Sequence, residues 1–158
     1  MTRRIRLSQL HDEYIKGTEP KALVSVQTIH LCTLTKIVKK GINASNYKVY
    51  FSTRCLKHLY DKKVAEEYDF IVKNSHTAIK YPDSVYKNKP GSKRGNFLFT
   101  KEIKGSLLVV SLEVNKEVED ICSEGNAVVT VFKLRQGKQS YLENCELLWS
   151  WKGGDPSS

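Results

Sequence analysis

The side chain best suited to proton transfer is His58, which lies in a polar and basic stretch of a predicted helix. Histidine titrates near neutral pH, so it can take a proton from a substrate hydroxyl and later release it. The neighbouring Arg54 and Lys57 favour the neutral imidazole, which is the form that acts as a general base. His58 is therefore a candidate general base, and the alternative is an ordinary surface histidine.

A second candidate site lies on the predicted strand 127–134. Side chains alternate along a strand, so Thr130 and Phe132 share one face. A hydroxyl and an aromatic ring on one face, near Lys101 of a neighbouring strand, would line a concave surface. The alternative is that this face belongs to the core and that Thr130 is bonded locally. That core face would consist of Val128, Thr130, Phe132 and Leu134.

Metal ligands and covalent nucleophiles are not indicated. The four cysteines, which stand far apart among apolar neighbours, are Cys32, Cys55, Cys122 and Cys145. Zinc sites normally use closely spaced ligand pairs, so these cysteines are predicted to be buried thiols. No carboxylate spacing suggests Mg²⁺ or Zn²⁺, and no glycine-rich phosphate loop follows a predicted strand. An enzyme of this sequence is therefore expected to need no metal and no cofactor.

Two predicted helices position His58. Residues 52–74 begin with a capping serine and place apolar side chains every three to four positions, which predicts an amphipathic helix. Its opposite face carries Arg54, Lys57, His58 and Asp61. A second helix is predicted to stop at Tyr81, because Pro82 disfavours helix at the residue before it. On this helix His76 follows the apolar line, which favours a core histidine.

Strands are predicted in the second half of the chain. Three short runs cover residues 96–103, 106–114 and 127–134, and Lys104-Gly105 joins the first two by a connection of hairpin length. These runs predict an antiparallel meander, and residues 140–151 are compatible with either a further strand or a helix. Helices followed by strands predict an α+β fold with the helices on one face of the sheet.

Composition and charge indicate a single basic domain with an anionic partner. The chain has 158 residues, a 40% hydrophobic fraction and a net charge of +9, and this length is typical of one domain. Residues 1–50 and 51–104 each carry a net charge of +6, whereas residues 105–158 carry −3. A phosphate polymer fits this field, because each cation that pairs with a phosphate releases a counterion; the alternative is a merely soluble basic surface. No membrane segment or signal core is present, so a cytoplasmic protein is expected.

Several short stretches resemble a known family. In chain order they are Lys57-His58, Ala78-Ile79-x-x-Pro82-Asp83-x-Val85-Tyr86, Lys93-Arg94, the strands 97–103 and 107–112, and Val128-Val129-Thr130-Val131-Phe132. This order resembles the barnase, EndoU, colicin and RelE-like (BECR) nuclease superfamily, most closely its phage and mobile-element branch. The resemblance spans about residues 45–135, and the proline-aspartate turn and the closing strand are its most specific parts.

The resemblance implies an α+β domain with N-terminal helices packed on an antiparallel sheet of about four strands. Residues 51–151 would form this nuclease domain, residues 1–50 an extension packed on the same domain, and residues 152–158 a flexible tail. The implied activity is cleavage of RNA without a metal, by attack of a 2′-hydroxyl on the adjacent phosphorus. The implied partners are RNA, with transfer RNA as one target, and an acidic immunity or inhibitor protein.

Site residues follow from the same resemblance. His58 would be the helix base, Lys101 the sheet cation and Thr130 the strand hydroxyl, and the general acid is left open. RNA-binding side chains would be Arg54, Lys57, Tyr86, Lys93, Arg94 and Phe132. The chain would then be a transfer-RNA-directed toxin or a phage effector. The alternatives are a non-catalytic RNA-binding module on the same scaffold and a phage-associated protein-interaction domain.

Overall fold

A seven-stranded mixed sheet is the centre of the fold. The structure is a computed structural model, and it describes residues 6–89, 95–118, 121, 123–134, 140–143 and 145–150. In chain order the strands are β1 (Thr28–Thr33), β2 (Lys48–Ser52), β3 (Ser84–Lys87), β4 (Phe97–Ile103), β5 (Ser106–Val118), β6 (Ser123–Leu134) and β7 (Glu146–Ser150). In space they lie in the order β1-β2-β6-β5-β4-β3-β7.

Helices precede and flank these strands, which confirms the predicted α+β class. They are α1 (Leu7–Leu10), which continues into a π-helical turn (His11–Ile15), α2 (Lys36–Gly41), α3 (Thr53–Lys62), α4 (Ala65–Lys80) and α5 (Ser140–Glu143). α3 begins after Ser52, whose hydroxyl accepts a hydrogen bond from the main-chain nitrogen of Cys55 at 3.1 Å. α4 ends ahead of Pro82, as predicted. In the described part of the chain, no helix has the length and apolar character needed to span a membrane.

The prediction of about four antiparallel strands is only partly matched, because the sheet has seven strands and one parallel pair. All neighbouring strands run antiparallel except β2 and β6, which run parallel and pair Val49 with Asn126. β1 and β2 come from the first fifty residues, where short strands alternate with a helix and no single periodicity stands out. The predicted boundary after residue 50 falls inside β2, and both β1 and β2 belong to the same sheet as the later strands. The predicted tail, 152–158, lies outside the described residues.

The hydrophobic core lies between α4 and one face of the sheet. Ile71 and Ile79 of α4 are fully buried, and burial of such side chains stabilises a fold by about 1.5–3 kcal/mol each. On the sheet they meet a face that includes Phe99, Val110 and Val131, all at 0% exposure. A smaller cluster around Leu98, Val109 and Leu142 covers part of the opposite face of the sheet.

A one-residue bulge at Val129 decides which side chains of β6 face the core. Ser111 of β5 pairs with Thr130, and the next residue, Leu112, pairs with Val128, so Val129 is the extra residue. Val128 and Val131 consequently both face the core, while Thr130 lies on the other face of the strand. The alternative core face predicted from strict alternation is therefore matched only in part: Val128 does not share a face with Thr130, whereas Phe132 and Leu134 pack on the smaller cluster.

The β4–β5 hairpin is as predicted. Its two connecting residues, Lys104 and Gly105, have φ angles of 51° and 80°. Two successive positive φ angles give the tight turn whose twist matches that of the flanking strands. The turn fixes the register of β5, which in turn pairs with β6 and so places Thr130.

Candidate functional site

The candidate site lies along the edge of β6, beyond the point where its pairing with β2 ends and α3 begins. β2 pairs with β6 only as far as Ala127, and the chain then turns from Ser52 directly into α3. The thiol of Cys55 on α3 donates to the main-chain oxygen of Val129 at 3.5 Å. Burial raises the pKa of this thiol to about 12, so it stays protonated and remains a donor at neutral pH.

A cleft of about 420 Å³ lies between α3 and β6. Its lining residues are His58, Leu59, Lys62, Lys63, Val129, Thr130 and Phe132. His58 is exposed, whereas Thr130 and Phe132 are half-buried. The structure therefore brings together three residues that the sequence proposed for one site: the imidazole, the hydroxyl and the aromatic ring.

A basic stripe follows the exposed face of α3. Arg54, His58 and Lys62 are all exposed and are spaced four residues apart, so they lie one above another along the helix. Lys62 was not among the predicted site residues, although its spacing of four from His58 on a helix would have identified it. Lys63, which also lines the cleft, forms an ion pair with Glu67 at 3.4 Å.

Lys57 does not belong to this exposed face, and its predicted role in RNA binding needs correcting. The side chain is buried, with the residue 6% exposed. Its amino group donates to the hydroxyl of Thr18 at 2.9 Å, the main-chain oxygen of Glu19 at 2.7 Å and the carboxylate of Asp61 at 2.7 Å. The hydrogen bond from Lys57, together with one from the main-chain nitrogen of Lys21, lowers the pKa of Asp61. Lys57 therefore anchors the N-terminal segment to α3.

Lys101 is also remote from the cleft, so the predicted grouping of His58, Lys101 and Thr130 needs correcting. Lys101 pairs with Leu108 across the β4–β5 ladder, on the face of the sheet opposite to Thr130. Its amino group donates to the main-chain oxygen of Tyr81 at 2.8 Å and lies 3.6 Å from a carboxylate oxygen of Asp83. Lys101 ties β4 to the turn that follows α4.

The remaining predicted RNA contacts are not gathered at the cleft. Tyr86 on β3 lines a different pocket of about 410 Å³, together with Thr100 and Leu142. Lys93 and Arg94 lie outside the described residues. His76, expected in the core, is exposed on α4.

No metal centre is found in the part of the chain that the structure describes. Within it, no group of three or more His, Cys, Asp or Glu side chains is arranged to hold an ion. What the cleft offers chemically is one imidazole, two ammonium groups, one hydroxyl and one aromatic ring.

Comparisons with known proteins identify no relative of this chain. No protein-family model matches this chain. Searches among curated proteins and among solved structures also return no match.

Proposed function

We propose that the protein is a metal-independent ribonuclease that cleaves RNA by attack of a 2′-hydroxyl on the adjacent phosphorus. The observation that carries this proposal is the cleft between α3 and β6, which is lined by His58, Thr130 and Phe132 beside Lys62. An imidazole, a hydroxyl and a cation around one space are the groups that such a transesterification uses.

His58 takes the proton of the 2′-hydroxyl in the proposed mechanism. A positioned general base of this kind contributes about 10² to 10⁴-fold to the rate. The 2′-oxygen then bonds to phosphorus, and the phosphorane formed carries additional negative charge. The bond from phosphorus to the 5′-oxygen breaks, which leaves a 2′,3′-cyclic phosphate and a 5′-hydroxyl.

Lys62 takes the role first assigned to Lys101. Its ammonium group lines the cleft, stabilises the charge of the phosphorane and supplies the proton that the departing 5′-oxygen needs. Thr130 donates its hydroxyl hydrogen to a non-bridging oxygen and so orients the phosphate. Phe132 stacks on an unpaired base, a contact worth about 1–3 kcal/mol.

The basic stripe of Arg54, His58 and Lys62 supports an RNA substrate. Its exposed side chains repeat along the helix for about two turns, which suits a backbone of regularly spaced phosphates. Together with the sequence resemblance, this stripe leads us to extend the proposal to membership of the BECR nuclease superfamily and to action on transfer RNA as a toxin or phage effector. An acidic inhibitor protein would cover the same stripe.

A specific observation also favours a non-catalytic RNA-binding module. Of the described residues that line the cleft, His58 is the one imidazole, so general-acid catalysis has to come from a lysine. A lysine is a weak proton donor at neutral pH, because its ordinary pKa is about 10.4. If the chain does not cleave RNA, the same cleft and stripe would still bind it.

RNA digestion in EDTA tests the ribonuclease proposal. Purified protein should cleave single-stranded RNA in EDTA, and a substrate with a single 2′-deoxynucleotide at the cleavage position should resist. His58→Ala and Thr130→Val should lose activity while the urea unfolding curves stay unchanged. His76→Ala, which removes an exposed histidine from α4, is the matched control and should cleave normally.

The chemical ends of the RNA products distinguish the proposed mechanism from its alternatives. A 2′,3′-cyclic phosphate, or the monophosphate from its hydrolysis, is expected opposite a 5′-hydroxyl. A 5′-phosphate would overturn the mechanism. Intact RNA in every buffer, combined with binding that weakens steeply with salt, would establish the RNA-binding module in its place. An absence of RNA affinity near 0.15 M salt would leave the protein-interaction reading.

A further inference from the structure

A second concave site lies on the N-terminal side of α4 and is not used by the proposed cleavage. It is a pocket of about 510 Å³ between the π-helical turn, the end of α3 and the start of α4. Its lining includes His11, Tyr60, Lys63, Ala65, Tyr68 and Asp69. Small-molecule sites typically measure about 300–1,000 Å³ and combine apolar walls with a few polar groups, so this pocket has the size and lining of a ligand site.

Three aromatic rings form one wall of this pocket. The ring centroids of His11 and Tyr60 lie 5.7 Å apart, those of His11 and Tyr68 5.3 Å, and those of Tyr60 and Tyr68 5.2 Å. These separations are within the range of favourable aromatic pairs. Each ring therefore holds the other two in place, so this aromatic wall of the pocket is preformed.

His11 and Tyr68 also form a directed polar pair. Nδ1 of His11 lies 2.8 Å from the hydroxyl of Tyr68. Tyr68 is 6% exposed, and its burial, with further contributions from Tyr60 and Asp12, raises the pKa of its phenol. Either group can donate in this hydrogen bond, because the imidazole proton can sit on either ring nitrogen. The pocket wall thus combines aromatic rings with a polar pair held in a fixed position.

The backbone at His11 is unusual as well. Residues His11–Ile15 form a π-helical turn, and such turns are rare and are found frequently at functional sites. The turn directs His11 towards α4, where it meets Tyr68. His11 lies outside residues 45–135, which carry the family resemblance, so this pocket is not part of the resembled nuclease core.

Charges at the rim favour an uncharged ligand. Lys73 pairs with Asp69 at 2.9 Å, and Lys63 pairs with Glu67 at 3.4 Å. Two of the cations around the pocket are thus compensated by neighbouring carboxylates, and Asp12 adds a further exposed carboxylate. A phosphate group would meet lysines that are already paired with carboxylates. A planar ring with N–H donors can stack on the aromatic rings and donate to the carboxylates.

We propose that this pocket binds a nucleobase, stacked on Tyr60 and hydrogen-bonded by His11 and the rim carboxylates. Lys63 lines both this pocket and the His58 cleft, so the two sites are neighbours on the surface of the protein. The base comes either from a free nucleoside or from an unpaired position of an RNA strand. The inference concerns binding and does not depend on cleavage at His58.

Nuclear magnetic resonance titration with the four ribonucleosides tests the pocket. The imidazole C–H signals of His11 should shift with at least one nucleoside, and ribose 5-phosphate, which has no base, should leave them unchanged. Tyr60→Leu removes the stacking ring while keeping apolar bulk, and should weaken binding about tenfold or more. Tyr81→Leu removes a tyrosine that is 58% exposed outside the pocket, and as the matched control should bind like the parent protein.

A second variant guards against loss of folding in Tyr60→Leu. Ala65 is exposed at the first turn of α4 and lines the pocket, so Ala65→Met fills the pocket without touching the core. It should abolish nucleoside binding with an unchanged urea unfolding curve. Binding by Ala65→Met and Tyr60→Leu at the parent affinity, or no nucleoside binding by the parent protein, would overturn the proposal.

An uncleavable RNA distinguishes the two sources of the base. A 2′-O-methyl oligonucleotide cannot undergo 2′-hydroxyl attack, so the outcome is independent of ribonuclease activity. Tighter binding of this strand than of nucleosides, lost in Tyr60→Leu and in a strand with one abasic site, identifies an RNA base. Binding of nucleosides with no gain for the strand identifies a free nucleoside, and either result supports the nucleobase site.

Discussion

The thiol of Cys55 lies 3.5 Å from the main-chain oxygen of Val129 and donates to it, which joins α3 to the bulged residue of β6. His58 follows one turn later on α3 and faces Thr130 across the cleft. The distance between the candidate base and the candidate hydroxyl is therefore set by a contact between two residues that carry no chemistry themselves.

Cys55 should resist alkylation in the folded protein. Burial raises its pKa to about 12, so almost none of it is the reactive thiolate at pH 8. Peptide-level mass spectrometry after iodoacetamide treatment should find Cys55 modified only after unfolding, although Cys55 is half-buried, as Cys145 is. Rapid modification of Cys55 in the native protein would contradict the assignment.

The same raised pKa predicts a loss of stability at alkaline pH. Above the ordinary value of 9.0, the unfolded chain releases the Cys55 proton while the folded protein keeps it. The folded state then binds more protons, so the free energy of unfolding falls as the pH rises further. Urea unfolding at pH 8 and pH 10 should show this fall, and Cys55→Ala should reduce it.

Substitution of Lys62 should affect RNA cleavage, whereas substitution of Lys101 should affect stability. Lys62→Gln should lower RNA cleavage by about 10²-fold with unchanged stability, because its ammonium group faces the phosphorane in the proposed mechanism. Lys101→Gln should leave cleavage unchanged and lower the free energy of unfolding by about 1–2 kcal/mol, because Tyr81 and Asp83 lose the ammonium group that links them. Single-turnover cleavage and urea unfolding measure the two effects, and a larger activity loss in Lys101→Gln would contradict the reassignment.

The contribution of Asp61 to the free energy of unfolding should depend on pH in the acidic range. Hydrogen bonds from Lys57 and Lys21 lower its pKa below the ordinary 3.8, so in acid the unfolded chain binds the proton first. The contribution is complete above that ordinary pKa and disappears as the pH falls through the lowered one. The difference in free energy of unfolding between the parent protein and Asp61→Asn should therefore shrink from pH 7 to pH 3, and a difference that stays constant would argue against it.

Gly95 should tolerate alanine far less than Gly17. Both have positive φ angles, 91° and 76°, but a Cβ at Gly95 would lie 2.8 Å from the main-chain oxygen of Leu112, whereas a Cβ at Gly17 meets nothing within 4 Å. Gly17→Ala should cost about 1–2 kcal/mol for the left-handed backbone alone. Gly95→Ala should cost about 1–3 kcal/mol more, because β5 has to move. Equal unfolding free energies of the two variants would contradict this account.

Local features of the fold were predictable from the sequence. The end of α4 follows from Pro82, and the β4–β5 turn follows from Lys104-Gly105, because each depends on neighbouring residues alone. β1, the parallel pairing of β2 with β6 and the bulge at Val129 were not predictable, since contacts between distant segments determine them. A bulge changes the face of the sheet on which the following side chains lie, and the local composition does not indicate it.

The candidate site, like the fold, could be predicted from the sequence only in part. His58 and Thr130 were placed together by the family resemblance and do line one cleft, and helical spacing alone would have added Lys62. The position of Lys101 depends on strand register, and the burial of Lys57 depends on the N-terminal segment that folds over it. The helical pattern on which Lys57 was placed contains no information about that segment.

The parallel pairing of β2 with β6 also has a consequence for folding during synthesis. The antiparallel pair of β1 and β2 is complete by Ser52, but the partner of Val49 is Asn126, which the ribosome adds much later. Until then the outer edge of β2 has no strand to pair with, and pairings between such distant segments form slowly. The nascent chain therefore carries an open, aggregation-prone strand edge while the residues between Ser52 and Asn126 are added, and slow refolding of the full chain is the corresponding behaviour in solution.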